Sequence, residues 1–488
     1  MALRFFQGLL ILITAGCASQ GAYFRDAGPA PQAAALTLAA WPHPETWTGV
    51  VFNGDKVGFA HTALRSLGAD RYELESDASL RLRFLGVDKR VSLHAIDRVR
   101  ADLTLESFTY RHEIDGSILR VSGDADGRRL DFTVEASGSR EARRIELTKP
   151  LYPSSALNML PALRGLAVGR ASRDLVFHGE SQSIEEVEQE VLGYESSPLF
   201  DGPAFKVLTR LLGLESSTWI SADGRPLFEL ALHGMMISAL EEEAPARRYL
   251  VEASLNKNDT IVDFSLVRAS GVADPRGVSR MEVRFEGIPP TFAVPSEGGQ
   301  RCARADQQVL CTLDATAAPA AGDAKNYLHP SLAAPSTDAE IAELARKLGV
   351  GAGTDDERIA HVLGWIDRNI AKQAIDVFTA VDVLRGGRAE CQGHAYLYAA
   401  LARALGMPTR IVNGLVYSAE HGGFLYHTWN ETLVAGRGWQ PVDPTFGQRR
   451  ADATHVKLIE GESVAELAPL VSLVGRLRAP HVAVLSRW

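Results

Sequence analysis

Cysteine is scarce in this sequence, with four residues among 488. Hydrophobic residues make up 46% and charged residues 23% of the chain, an ordinary globular composition, so large cores can form without disulfide staples. The length corresponds to two or three domains. Basic runs are also missing and the formal net charge is −9, so the chain offers no electrostatic footprint for nucleic acid.

The hydrophobic run near the N terminus is too short to cross a bilayer. It extends from Phe5 to Ile13 behind Arg4 and has the length and charge of a secretory signal. It leads into the letters TAGC at 14–17, which resemble the lipobox of bacterial lipoproteins, although a plain cleaved signal peptide is an alternative. The resemblance implies a lipid on Cys17. Because Ala18 follows, it implies an anchor at the periplasmic face of the outer membrane of a Gram-negative cell.

The other three cysteines fit an oxidising compartment. Cys302 and Cys311 bracket a short segment, and we expect them to form a disulfide, with two unrelated thiols as the alternative. Cys391 is then left as a free thiol, which in such a compartment indicates reactivity.

Composition and periodicity divide the chain into five segments. They are a lipoprotein signal peptide (1–17), a flexible tether (18–40), a β-rich domain that could comprise two subdomains (41–311), a linker (312–335) and a C-terminal domain (336–488). In the β-rich segment, residues such as Leu130, Phe132 and Val134 alternate with polar ones, which predicts antiparallel strands. We find no cluster of chemically active residues there, so this half is expected to be a scaffold or a recognition domain.

The C-terminal segment changes to helical periods. Ser336 or Thr337 can cap a helix that ends at Gly349, and residues 354–357 form a capping box for a second helix. A third helix is expected to begin near Cys391. Strands are predicted at 411–417, 424–434 and 439–442. Helices followed by strands favour an α+β fold.

Three residues of this segment can form a nucleophilic site. Cys391 lies at the start of the third helix, where unsatisfied amide groups and the helix dipole favour the thiolate. Alternation places His427 on one strand face, and if Glu431 pairs with Trp439, His427 falls opposite Asp443. Asp443 could then orient His427, and His427 could activate Cys391.

Other assignments remain open. Cys391 could be an inert core residue, and His427 competes as the base with His394, His421 and His455. A zinc site is a further alternative, since Cys391 and His394 have ligand spacing. Asp452 and His455 could support the site from behind.

The blocks around these residues resemble the transglutaminase-like superfamily. The letters are AECQGHA at 389–395, ARALGMPTR at 402–410, HTWNE at 427–431 and GWQPVDPT at 438–445. The resemblance implies a papain-like α+β fold, with Cys391 as nucleophile, His427 as base and Asp443 as the orienting acid. Gln392, His394 and Trp429 are supporting candidates. Gln373 and Trp365 are weak candidates for an oxyanion donor.

The resulting expectation is a lipid-anchored, extracytoplasmic thiol hydrolase that acts on a peptide or amide bond through an acyl-enzyme. Transamidation by the same residues is an alternative, and so is a non-catalytic binding lipoprotein with a vestigial thiol domain. A protein or peptide substrate is expected as partner, with membrane contact only through the lipid. We expect no cofactor and no metal, and calcium dependence in particular has no support, since no carboxylate cluster has calcium-loop spacing.

The lipobox-like run makes a direct prediction. We expect intact-mass and peptide analysis of the mature protein to find an acylated Cys17 as its first residue. A mature chain that starts at Ala18, or one that retains Met1, would contradict lipidation.

Overall fold

The structure is a computed structural model that describes residues 23–84, 87–179, 181–248, 262, 265–322, 324 and 327–488. The predicted signal peptide and Cys17 lie outside the described residues. Within those residues, no helix combines the length and the apolar character that crossing a membrane requires.

The described chain contains 27 strands and seven α-helices. Strands β1–β9 are Arg25–Asp26, Glu45–Phe52, Asp55–Gly68, Arg71–Phe84, Val87–Arg100, Leu105–Ile114, Ser117–Ala125, Arg129–Ala136 and Ser139–Glu146. Strands β10–β16 are Leu151–Pro153, Ala171–His178, Ser183–Ser196, Ala204–Leu211, Leu214–Ile220, Pro226–Ala231 and Met236–Glu241. Strands β17–β22 are Val267–Arg268, Val278–Glu286, Gln300–Ala305, Gln308–Asp314, Ala371–Lys372 and Arg388–Ala389. Strands β23–β27 are Thr409–Ser418, Gly423–Val434, Gly438–Val442, His455–Glu460 and Arg478–Arg487. Helices α1–α7 are Leu160–Leu163, Glu243–Arg247, Ala339–Gly349, Asp355–Asn369, Ala380–Gly386, Cys391–Ala404 and Val464–Val471.

One large sheet, β1 to β16, occupies the N-terminal half. Strands β2 to β9 follow one another as an antiparallel meander, β11 to β16 form a second, and β16 pairs with β2 to join them. The predicted alternation is present, because Leu130, Phe132 and Val134 all point into a buried core. The strand path is continuous, so a division into two subdomains stays a prediction.

Two tight turns of this sheet have the geometry that their sequences indicate. Asn53 and Gly54 join β2 to β3 with φ values of 49° and 89°. Asp115 and Gly116 join β6 to β7 with φ values of 49° and 93°. Positive φ at both central residues is the type I′ hairpin, which Asn-Gly and Asp-Gly favour.

Helix α6 is the centre of the C-terminal region. It is buried from Gly393 to Arg403, so it lies inside the region and not on its surface. It packs against β24 on one side and against α3, α4 and α5 on the other. Strand β24 lies in a sheet with β17, β23, β25 and β26.

A third sheet, in the order β19-β20-β18-β27, joins two distant parts of the chain. Its strands β18 to β20, residues 278–314, precede the predicted linker, whereas β27 is close to the C terminus. They share one hydrophobic core with β23, β24 and β26. Strands that we grouped with the β-rich segment 41–311 therefore pack with the C-terminal region. A disulfide joins Cys302 on β19 to Cys311 on β20, the pair expected from the sequence.

The helix caps agree with the sequence in one case and differ in another. Thr354 and Glu357 form the expected capping box at the start of α4. Helix α3 is capped by Asp338, whose carboxylate accepts two backbone N–H groups, and not by Ser336 or Thr337. The expected linker is also shorter at its start, because residues 312–314 belong to β20.

Candidate active site

Cys391 is the first residue of helix α6 and is partly exposed. Glu390, at the N-cap position, makes no capping bond with its side chain, so the amide groups at this helix end remain available to an anion. Gly393 allows the helix to lie close to the preceding strand, because a Cβ there would come within 2.5 Å of the Cβ of Ala389. The backbone around the thiol is therefore closely packed.

His427 and Asp443 come from the neighbouring sheet. His427 lies on β24 and Asp443 directly follows β25, and Nε2 of His427 lies 2.8 Å from Oδ2 of Asp443. The register differs by two residues from our expectation, since Glu431 pairs with Pro441 and not with Trp439. A slip of two residues keeps each side chain on its face, which is why Asp443 still reaches His427.

Asp443 is fully buried and accepts four hydrogen bonds. Its Oδ1 accepts the backbone N–H groups of Thr445 at 2.7 Å and Phe446 at 3.0 Å. Its Oδ2 contacts Nε2 of His427 at 2.8 Å and Nε2 of His455 at 2.9 Å. Burial alone would raise the pKa of Asp443, but the two histidines hold it well below its ordinary value. Asp443 is therefore a carboxylate in the fold.

The charge of Asp443 decides the state of His427. Burial opposes protonation of His427, yet attraction to Asp443 and to Cys391, with hydrogen bonds to both, raises its pKa to about 9. Its ring stacks between Trp429 and Phe446, at centroid distances of 6.1 and 5.1 Å. A protonated imidazole beside a thiol at a helix end is the arrangement that generates a nucleophilic thiolate.

His455 continues the network behind Asp443. Its Nδ1 lies 3.1 Å from the backbone oxygen of Asp452, and the Asp452 carboxylate pairs with Arg276 at 2.9 Å. Burial opposes protonation of His455, but Asp452 and Asp443 raise its pKa to about 9. The ligand atoms of His427, Asp443 and His455 lie within 4.8 Å of one another, as a metal site would require. Both Nε2 atoms, however, are at hydrogen-bond distance from one carboxylate oxygen, which is the geometry of two protonated nitrogens.

A cleft of about 1110 Å³ opens in front of Cys391. One wall is formed by β23 and β24 with Tyr417, Tyr426 and His427, and Phe446 follows β25 at the edge. Lys89 of the large sheet also lines this cleft. The cleft is large enough for a segment of a polymer.

The region that contains the candidate site matches a known protein family. The model of the transglutaminase-like superfamily matches residues 342–444. The chain carries a transglutaminase-like domain. The resemblance inferred from the sequence blocks is thereby confirmed, and the match includes Cys391, His427 and Asp443.

Two curated proteins are similar to part of the chain. Kyphoscoliosis peptidase of Mus musculus is 32% identical over 132 residues, which cover 24% of this chain and 20% of that protein. Its counterpart in Homo sapiens is 33% identical over 127 residues, which cover 23% and 19%. The chain thus spans about a fifth of the length of these relatives.

Two solved structures resemble parts of the chain, with low TM-scores and low sequence identity. A β-barrel-like protein from Brucella abortus has a TM-score of 0.32 at 9% identity, covering 41% of this chain and 95% of that one. The periplasmic domain of TgpA from Pseudomonas aeruginosa has a TM-score of 0.26 at 16% identity, covering 38% and 88%.

The supporting candidates occupy different environments around the transglutaminase-like domain's cleft. Trp429 is buried beside His427, and Gln392 and Gln373 line the cleft. His394 is fully buried and its Nδ1 contacts the backbone oxygen of Glu390 at 2.8 Å, so its side chain belongs to the helix packing and not to the cleft lining. Trp365 packs against the helical core.

Three cleft groups escaped the sequence analysis. Lys89 and Arg276 come from the half in which we saw no chemistry, and Asp376 lies in a loop between helices. No short motif marks them, since each reaches the cleft only through the tertiary fold.

The first prediction from this geometry concerns the thiol. We expect His427→Ala to slow iodoacetamide alkylation of Cys391 at pH 6 by about tenfold or more, because the variant loses the positive charge that favours the thiolate. Mass spectrometry of the Cys391 peptide measures the rate. The partly exposed His481 on β27 provides the control His481→Ala, and equal rates in both variants would contradict the pairing.

The second prediction concerns pH and stability. The pKa of His455 is raised from 6.5 to about 9 in the fold. Its protonated ring therefore stabilises the fold fully below pH 6.5, and this contribution is lost as the pH rises through 9. We expect His455→Gln to lower the thermal midpoint strongly at pH 6 and much less at about pH 10. His481→Gln controls for the loss of an exposed histidine. A gap to the wild type that is the same at both pH values would show that His455 is not protonated in the fold.

Proposed function

We propose that this protein is a lipid-anchored, extracytoplasmic thiol hydrolase that cleaves a peptide or amide bond. The observation that carries the proposal is the contact between a helix-terminal thiol, Cys391, and a histidine, His427, that a buried carboxylate keeps protonated. We also propose that this domain has a papain-like fold. It is supported by a nucleophile-bearing helix, α6, that packs on the antiparallel strand carrying the base.

In the proposed first step, the Cys391 thiolate attacks the substrate carbonyl carbon and forms a carbon–sulfur bond. The carbonyl oxygen becomes an oxyanion, for which the free amide groups at the start of α6 are suitable donors. His427 gives its proton to the departing amine nitrogen as the carbon–nitrogen bond breaks. The product is a thioester on Cys391 and a neutral His427 that is still oriented by Asp443.

In the second step, His427 removes a proton from water, and the resulting hydroxide attacks the thioester. Collapse of this intermediate breaks the carbon–sulfur bond, releases the acid and restores the thiolate–imidazolium pair. An amine in place of water would give transamidation through the same atoms. The name peptidase, carried by the mammalian relatives, supports water as the acceptor.

The location is proposed on separate grounds. The lipobox-like run at Cys17 and the disulfide between Cys302 and Cys311 both fit an oxidising compartment outside the cytoplasm. The proposed partners are a protein or peptide substrate and, through the lipid alone, the outer membrane. The large sheet would then lie beside the membrane-tethered N terminus.

The test is a comparison of acceptors. The purified protein is incubated in ¹⁸O-labelled water with an envelope-derived peptide library and a biotinylated primary amine, with Cys391→Ser as the matched control. We expect new peptide carboxyl groups that carry ¹⁸O and depend on Cys391, with little incorporated amine. Incorporation of the amine as the main product would favour transamidation. Identical product lists for both proteins would favour the non-catalytic binding lipoprotein.

A further inference from the structure

Residues 373–378 connect the large sheet with the candidate active site. The backbone N–H of Asp376 donates to Oδ2 of Asp115 at 3.0 Å, and that of Phe378 donates to Oγ of Ser117 at 3.0 Å. Asp115 and Ser117 belong to the tight hairpin between β6 and β7. Oγ of Ser117 also donates to Asp382 at 2.6 Å, at the start of α5. The hairpin therefore fixes the path of this segment.

The same segment holds the two residues that precede the thiol. The N–H of Gln373 donates to the carbonyl of Ala389 at 3.0 Å, and the N–H of Glu390 donates to the carbonyl of Ile375 at 3.1 Å. Cys391 follows directly. Residues 373–378 are thus bonded to the large sheet on one side and to the start of α6 on the other.

Lys89 adds a charge to this connection. Its buried side chain extends from β5, and its ammonium lies 2.6 Å from Oδ2 of Asp376 and 3.2 Å from Oε2 of Glu390. All three residues line the cleft together with Cys391. The sequence separation between Lys89 and Glu390 is 301 residues. An ammonium from the N-terminal half therefore faces an acidic pair beside the thiol.

The carboxyl groups of Glu390 and Asp376 have pKa values that are shifted in opposite directions. Burial, together with the hydrogen bond and the charge of Asp376, raises the pKa of Glu390 well above its ordinary value. Burial would also raise the pKa of Asp376, but the bond from Glu390 and the charge of Lys89 lower it. These opposite shifts favour the proton on Glu390 and the negative charge on Asp376, whose carboxylate lies next to the ammonium of Lys89.

The cleft is also lined by the ionisable side chains of Arg276, Lys372, Glu420 and His421. The two cations among them are engaged elsewhere: Arg276 pairs with Asp452 at 2.9 Å, and Lys372 pairs with Asp367 at 3.4 Å. Within the part of the chain that the structure describes, Lys89 is the cation that pairs with Asp376. Its loss would leave an unbalanced buried charge close to Cys391.

We propose that the large sheet is a working part of the active site, in which Lys89 is a positioning residue that neutralises Asp376 beside Cys391. This inference rests on the proposed thiol chemistry. Without Lys89, the negative charge of Asp376 would repel the thiolate through the low-dielectric wall of the cleft. The substrate would also meet a cleft of altered charge, with the segment 373–378 held by fewer bonds.

The experiment compares Lys89→Met with Lys56→Met in the full-length protein. Lys56 is a matched control, because it lies in the same sheet and pairs with a carboxylate, Glu241, at 2.7 Å, yet does not line the cleft. The measurement is the iodoacetamide alkylation rate of Cys391 at pH 6, with the thermal midpoint recorded for each variant. We expect Lys89→Met to slow alkylation by about tenfold, because the uncompensated charge of Asp376 would disfavour a negatively charged nucleophile in the same cleft, and Lys56→Met to leave the rate unchanged.

A second variant separates charge from structure. Asp376→Asn in the Lys89→Met background removes the unbalanced charge while keeping an oxygen that accepts from Glu390, so the rate should return to within about threefold of the wild type. If Lys89→Met does not fold, Lys89→Gln, which retains a hydrogen-bond donor, replaces it in both arms.

The outcomes are distinguishable. A wild-type Cys391 that is inert at pH 6 would overturn the proposed function itself. A reactive wild type with no effect of Lys89→Met, an equal effect of Lys56→Met, or no recovery in the double variant would overturn the role of Lys89 alone.

Discussion

The arrangement of the candidate site depends on the carboxylate of Asp443, which is buried without access to water. Such a group is costly to bury unless every lone pair is engaged. Here two backbone amides satisfy one oxygen, and the imidazoles of His427 and His455 satisfy the other. Because these donors come from β24, from the turn after β25 and from β26, the carboxylate ties three parts of the chain together. The orientation and the charge of His427 follow from it.

The charges around Asp443 alternate along a line of contacts. The thiol of Cys391 meets His427, His427 meets Asp443, Asp443 meets His455, and beyond His455 lie Asp452 and Arg276. Each ion is flanked by groups of opposite sign, so the line as a whole can be buried with little net charge. An isolated triad with the same burial would place one carboxylate between one imidazolium and apolar surroundings. The additional pair of His455 and Asp452 reduces this cost, which is why Asp443 can orient His427 while it is fully buried.

The sequence predicted what is local and missed what the tertiary fold creates. The blocks around Cys391, His427 and Asp443 could be recognised because they lie at a helix start and along two strands. The predicted strand pairing was wrong by two residues, but side chains alternate between the two faces of a strand, so His427 was still placed on the correct face. The cap of α3 was misplaced because Ser, Thr and Asp are all good caps and adjacent. Strands 278–314 were grouped with the wrong neighbours, since alternation reveals a strand but not its partner. Lys89 had no signal at all.

The position of residues 373–378 explains why such long-range partners matter here. A segment without helix or extended strand pairing has few bonds of its own, so its conformation is determined by what it touches. On one side it touches the hairpin at Asp115 and Ser117, and on the other it touches Ala389 and Glu390, next to the thiol. Any displacement of the large sheet would break buried polar contacts on the first side and shift the nucleophile on the second. The two halves of the chain are therefore coupled at the point where the proposed chemistry takes place, and the N-terminal sheet is more than a spacer in front of the transglutaminase-like domain.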